Sequence, residues 1–188
     1  MMDFLTGERS TMDHESASSA RTAYGPIVSS EHLSRSSLEL SEFEFGLIIA
    51  GHAFDRWMVR CMTATGYPEL SALDILVLHS VNHRERAKRQ ADICLVLNVE
   101  DTHTVTYALK KLTRLGLVSG EKQGKETFFQ ATDTGRNACG EYARIRETCL
   151  VDSLASMGME REEMHRLAGL LRAMSGLYDQ AARSAASL

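Results

Sequence analysis

TVTYALKKLTRLGLVSGEKQGKETFFQATDTG, residues 104–135, begins on a helical period, breaks at a glycine and ends in two short runs of strand formers. Val105, Ala108, Leu109 and Leu112 recur at three- and four-residue spacing and define one buried helix face. His103, Thr106, Tyr107, Lys110, Lys111 and Arg114 fall elsewhere on the turn, so one face packs while the other is free to bind. Asp101 is placed to cap the helix, its carboxylate turned inward to accept from the open amides of the first turn. Gly116 stands where a left-handed C-terminal residue is wanted, which bounds the helix at about 102–115. After it, Leu117-Val118 and Thr127-Phe128-Phe129 flank Gln123-Gly124, the pattern of two strands joined by a tight turn. Lys122 and Lys125 bracket that turn.

Upstream, residues 91–97 read as a short helix separated from the next by only Asn98-Val99-Glu100, which is helix-turn-helix spacing. Ser71 is a good cap for a helix over 72–81, with Leu73, Leu76, Val77 and Ser80 on one face. In this order of helices and hairpin, about 70–135 resembles the winged helix-turn-helix of the MarR family of bacterial transcription regulators. The residues that carry the resemblance are Thr104-Val105-Thr106, Lys111-Leu112, Leu115-Gly116-Leu117-Val118 and Thr132-Asp133-Thr134-Gly135. In the family these stand as the recognition helix, its exit into the wing, and the start of a long dimerisation helix. Where the family wing commonly carries an Asp-x-Arg element, the tip here is Glu121-Lys122-Gln123-Gly124-Lys125-Glu126, without arginine. The implied fold class is mainly α with a small β-hairpin wing (α+β), flanked by N- and C-terminal dimerisation helices.

The whole chain has 188 residues and 44% apolar composition, enough for one domain with a core and appendages. Residues 1–37 read as a flexible serine-rich arm. Residues 38–66 hold an N-terminal helix for dimerisation and a pocket; Ser41 is its expected cap, Glu44 its capping-box partner, and Phe43, Leu47, Ala50, Phe54, Trp57 and Cys61 lie along one face. Residues 67–132 form the DNA-binding domain and 133–188 the C-terminal dimerisation helices, the last with a stripe of Met164, Leu167, Leu171, Met174, Leu177, Tyr178 and Ala181. These helices exceed what a small winged-helix core covers, so pairing with a second chain is expected.

The net charge of −4 runs against nucleic-acid binding until it is divided along the chain. Between Arg84 and Glu126 stand nine cations and six anions, a local +3 that leaves −7 elsewhere. A basic middle in an acidic protein is what a localised phosphate-binding face needs. The residues expected to meet double-stranded DNA, as a pseudo-palindromic operator, are Thr102, His103, Thr104, Thr106, Tyr107, Lys110, Lys111, Lys122 and Lys125.

The resemblance implies a homodimeric repressor released by a small aromatic effector, and Phe54, Trp57, Met58 and Cys61 are the candidate pocket. Core packing is the competing reading of that cluster. Two further readings stay open: a winged-helix module for protein association without DNA, and a thiol-based redox regulator. Against the latter, residues 43–49 lack the cysteine that the oxidation-sensing branch keeps there, and Cys61, Cys94, Cys139 and Cys149 suit buried thiols. No glycine-rich phosphate loop, nucleophile elbow or paired-acid motif marks an enzyme. His79 and His83 lack the adjacent glutamate and third ligand of a zinc helix, so neither metal nor cofactor is expected. No apolar run suits a membrane span and residues 1–9 lack signal-peptide character, so a cytoplasmic protein is expected.

Overall fold

The computed structural model describes residues 37–156, 158 and 160–188, so the expected serine-rich arm lies outside the described residues apart from Ser37. The chain divides into two units within its first helix, after Ile49. That helix, α1, spans Leu38–Ala64. Its expected cap is corrected: Ser37 Oγ accepts from the Leu40 amide at 3.3 Å, and Ser41 lies inside the helix, its hydroxyl donating back to the Ser37 carbonyl.

In the second unit, α2 (Ala72–Asn82) begins at Ser71 in a reciprocal capping box with Asp74. It is buried nearly all round. Ile75, Val77 and Leu78 have no exposure, whereas Leu73 and Leu76, which the sequence period places on the packed face, are only partly covered. A 3₁₀ turn, His83–Glu85, leads to β1 (Lys88–Arg89) and then α3 (Gln90–Leu97), which closes on a left-handed Asn98. The principal binding candidate, α4 (Thr102–Arg114), follows, then β2 (Val118–Gln123) and β3 (Glu126–Ala131). The sheet order is β1-β3-β2, antiparallel throughout, with Lys88 opposite Phe129 and Gln123 opposite Glu126.

Gly124 takes φ +65° at the first turn position, the conformation a two-residue hairpin turn requires and one that glycine adopts without strain. Next, α5 (Asp133–Arg146) runs through a π-helical turn, Glu147–Val151, into α6 (Asp152–Ser156). The chain ends in α7 (Arg161–Ala185), capped by Glu160.

One core joins Met58, Cys61 and Met62 of α1 to α2, Ile93 of α3, the α4 face, Leu117, Ala131 and Tyr142. The α4 face is as the period predicts: Val105, Ala108, Leu109 and Leu112 are all buried. Each fully buried leucine or valine contributes on the order of 2 kcal/mol, so this stripe fixes the rotation of α4 and with it which side chains face outward. Among the described residues of α7 none is buried, and Leu167, Leu171 and Leu177 stand half exposed.

Candidate nucleic-acid interface

Asp101 caps α4 as expected, its carboxylate turned to accept from the His103 amide at 2.9 Å, while the residue as a whole stays exposed. The Thr104 hydroxyl is committed to the Asp101 carbonyl at 2.7 Å. Thr102, His103, Tyr107 and Lys110 lie exposed on the outer face, with Tyr107 at 70% exposure and the Lys110 ammonium 5.9 Å from its ring centroid. Lys122 and Lys125 are exposed on the hairpin, and none of these three lysines has an ion pair among the described residues. The outer face of α4 thus presents polar and cationic side chains, and the hairpin beside it carries two further exposed lysines.

A family profile described as "Winged helix DNA-binding domain" matches residues 70–135. The chain carries a winged helix DNA-binding domain. Its fold is also that of solved MarR-type structures. A cysteine-to-serine mutant of MarR from E. coli complexed with operator DNA aligns at TM-score 0.60 and 18% identity, covering 75% of this chain and 99% of that one. The transcriptional regulator SlyA aligns at TM-score 0.56 and 20% identity, covering 73% and 93%. CouR from Rhodococcus jostii RHA1 bound to p-coumaroyl-CoA aligns at TM-score 0.56 and 15% identity, covering 70% and 90%. No curated protein sequence matches. The profile match bears on residues 70–135, and the solved structures extend the likeness in fold to about three quarters of the chain.

Within the winged helix, Lys111 does not share the position of Lys110. Its ammonium bonds Asp74 Oδ2 at 2.8 Å and the Glu69 carbonyl at 2.5 Å, tying α4 to the capped start of α2. Of the lysines expected to meet DNA, Lys111 is thus the one whose ammonium is engaged between two helices. Arg89 and Gln90, which no sequence motif singles out, occupy the junction of wing and recognition helix. Arg89 bonds Asp92 at 3.0 Å and wing-tip Glu126 at 3.1 Å, so an arginine from β1 braces the wing that lacks its own. The bonds from Arg89 hold the Asp92 carboxyl below the ordinary carboxylate range.

Arg84 and Glu85 both take left-handed φ, +60° and +49°, without being glycine, each at a cost on the order of 1 kcal/mol. Lys88 compensates, its ammonium lying 3.2, 2.5 and 3.1 Å from the carbonyls of Val81, His83 and Arg86. Burial and the neighbouring Arg86 and Arg84 charges lower the Lys88 pKa.

The same turn borders an open groove of about 980 Å³ lined by Phe54, Met58, Leu76, His79, Cys139 and Tyr142, with the charged Arg84, Glu85, Arg136 and Arg146. Of the pocket residues expected from sequence, Phe54 and Met58 line it. Trp57 packs on the core, and Cys61 is buried with its thiol donating to the Tyr142 carbonyl at 3.6 Å, so neither is brought to this groove. Burial raises the Cys61 thiol pKa, and it lifts Cys139 to about 11, so both resist forming thiolate. Cys149 is exposed, against the expectation of four buried thiols.

His79 lies edge-on to Tyr142, ring centroids 4.6 Å apart, and its buried Nε2 has no hydrogen-bond partner among the described residues. Burial lowers its pKa from the ordinary 6.5. As pH falls below about 6.5 the unfolded histidine takes a proton that the folded one resists, so the unfolded state gains and stability drops with acid. His79→Phe should flatten the melting temperature between pH 7 and 5 relative to wild type; an unchanged slope would assign that acid sensitivity elsewhere.

No helix of the described residues is long and apolar enough to cross a membrane.

Proposed function

We propose that this protein is a cytoplasmic, dimeric, sequence-specific transcription regulator of MarR type, a repressor that a small aromatic effector releases from a pseudo-palindromic operator. The carrying observation is the pairing of α4, with Thr102, His103, Tyr107 and Lys110 presented, and the lysine-tipped wing on one matched DNA-binding domain. Thr104 and Thr106, each partly exposed, border the presented face on its two sides, and Lys122 and Lys125 are assigned to phosphate. MarR complexed with operator DNA supports the DNA reading, and CouR bound to p-coumaroyl-CoA supports an effector. The groove beside His79 is the effector site we favour. A ligand polar group meeting the unpartnered Nε2 would recover on the order of 1–3 kcal/mol of desolvation penalty.

Lys110→Ala should lose about 1–3 kcal/mol on the operator and little on random duplex, because a base-edge contact counts only where the right base is present. Lys125→Ala should weaken both and lower the slope of log affinity against log salt by about one unit for each phosphate left without its lysine. Titrations of both variants on operator and random duplex across a salt series separate the two roles; wild-type behaviour in every titration would remove this face from DNA.

Dimerisation rests on the half-exposed α7 stripe and on Leu47 and Phe54 of α1, too much apolar surface for water. Light scattering at low micromolar concentration should give twice 20.9 kDa. A monomer that still bound a palindromic site specifically would defeat the two-fold argument.

A further inference from the structure

We propose that Gln90 is a specificity-determining residue that sets what the Thr106 hydroxyl can offer a base edge. The inference rests on the DNA-reading function proposed above and names a component of it that lies outside the recognition helix. Gln90 opens α3, next to the braced Arg89, and its Nε2 stands 2.8 Å from the Thr102 carbonyl and 2.8 Å from Thr106 Oγ1. A carbonyl oxygen only accepts, so the nitrogen end of the amide must face it, and this fixes the amide orientation.

Thr106 Oγ1 is also 2.9 Å from the Thr102 carbonyl, which takes the hydroxyl proton. A hydroxyl has one proton and two acceptor positions. Here the proton is committed to Thr102 and one acceptor position to Gln90. One acceptor position and the methyl group remain. Thr106 so held can accept from the amino group of adenine or cytosine, or rest its methyl on that of thymine, but cannot donate to guanine O6 or N7. Without Gln90 the hydroxyl regains its rotation and can donate as well as accept. Gln90 has little slack to adapt, because Arg89 holds the start of α3 through Asp92 and ties it to the wing through Glu126.

The test uses the full chain as wild type, Gln90→Ala, Gln90→Met, Thr106→Val and the Gln90→Ala/Thr106→Val double variant. Each selects from a randomised duplex pool, and affinity is then measured for the selected site with all four bases at each position and for random duplex across a salt series. Wild type should prefer an adenine, cytosine or thymine contact at one base pair of each half-site. Gln90→Ala should cut discrimination at that pair about tenfold and admit guanine, with the salt slope and random-duplex affinity unchanged. Gln90→Met, near in shape but without the amide, should do the same if Gln90→Ala melts too low to assay.

On the Thr106→Val background, Gln90→Ala should change nothing further at that pair. Uniformly weaker binding with the wild-type preference intact would make Gln90 a brace only, and an equal change in preference on the Thr106→Val background would show that it acts without Thr106. Either result overturns the proposal while leaving DNA reading in place. Wild type that selects no sequence would overturn the DNA reading itself, and this proposal with it.

Discussion

Gly135→Ala should lower the melting temperature by about 10 °C, corresponding to about 3 kcal/mol. Gly135 is the third residue of α5, where its amide donates to the capping Thr132 hydroxyl at 3.1 Å. That hydroxyl donates in turn to the Gly116 carbonyl at 2.6 Å, and the Thr132 amide donates to the Leu117 carbonyl at 3.1 Å. The first turn of α5 is thereby pressed against the joint between α4 and the wing. A Cβ at residue 135 would stand 2.0 Å from the Leu117 carbonyl oxygen, which is backbone and cannot rotate away. Either α5 shifts and loses the Thr132 bonds, or the wing entry moves. Gly140→Ala, in the same helix with nothing within 4 Å of its Cβ position, should by contrast be neutral or stabilising by up to about 1 kcal/mol. Thermal melts of the two variants suffice; equal midpoints would show that the joint yields more readily than its bonding indicates.

Lys111→Met should cost about 2 kcal/mol, or about 6 °C, and leave the salt dependence of random-duplex binding at its wild-type slope. The substitution keeps most of the side-chain length but strands Asp74, whose side chain is only 8% exposed and keeps just its Ser71 partners. A buried carboxylate deprived of its cation is the costly outcome, so Lys111→Met/Asp74→Asn should recover part of the loss: asparagine still accepts from Ser71 and carries no charge. Lys110→Met, one residue earlier, should show the opposite pattern, with weakened DNA binding and an unchanged melt. A fall in the salt slope with Lys111→Met would return Lys111 to the phosphate-facing set.

The amino-acid sequence by itself determined the elements whose signal is local. Period placed Val105, Ala108, Leu109 and Leu112 inward, Asp101 and Ser71 supplied the caps, and Gly124 fixed the hairpin turn. These follow from interactions within a few residues, which is why α2, α4 and the wing were legible as a DNA-binding order. Even the glycine of Thr132-Asp133-Thr134-Gly135 was legible as a motif, although its cause, the Leu117 carbonyl, was not.

The tertiary structure alone decided the rest. Strand β1 has two residues and no pattern of its own; it exists because β3 offers a free edge to Lys88 and Arg89. Arg84 and Glu85 carry no glycine to announce left-handed backbone, since the compensation comes from a lysine ammonium among three carbonyls. Lys110 and Lys111 are the same residue type side by side, yet one rotation step of about 100° turns Lys110 outward and sets Lys111 against the N-terminus of α2. Gln90 is an ordinary helix-opening residue until α3 packs beside α4 and brings it to Thr106, 16 positions away. A sequence records which groups a chain owns, but a side chain's hydrogen-bonding role is set by the partner within about 3 Å of it, and only packing between elements brings those partners together.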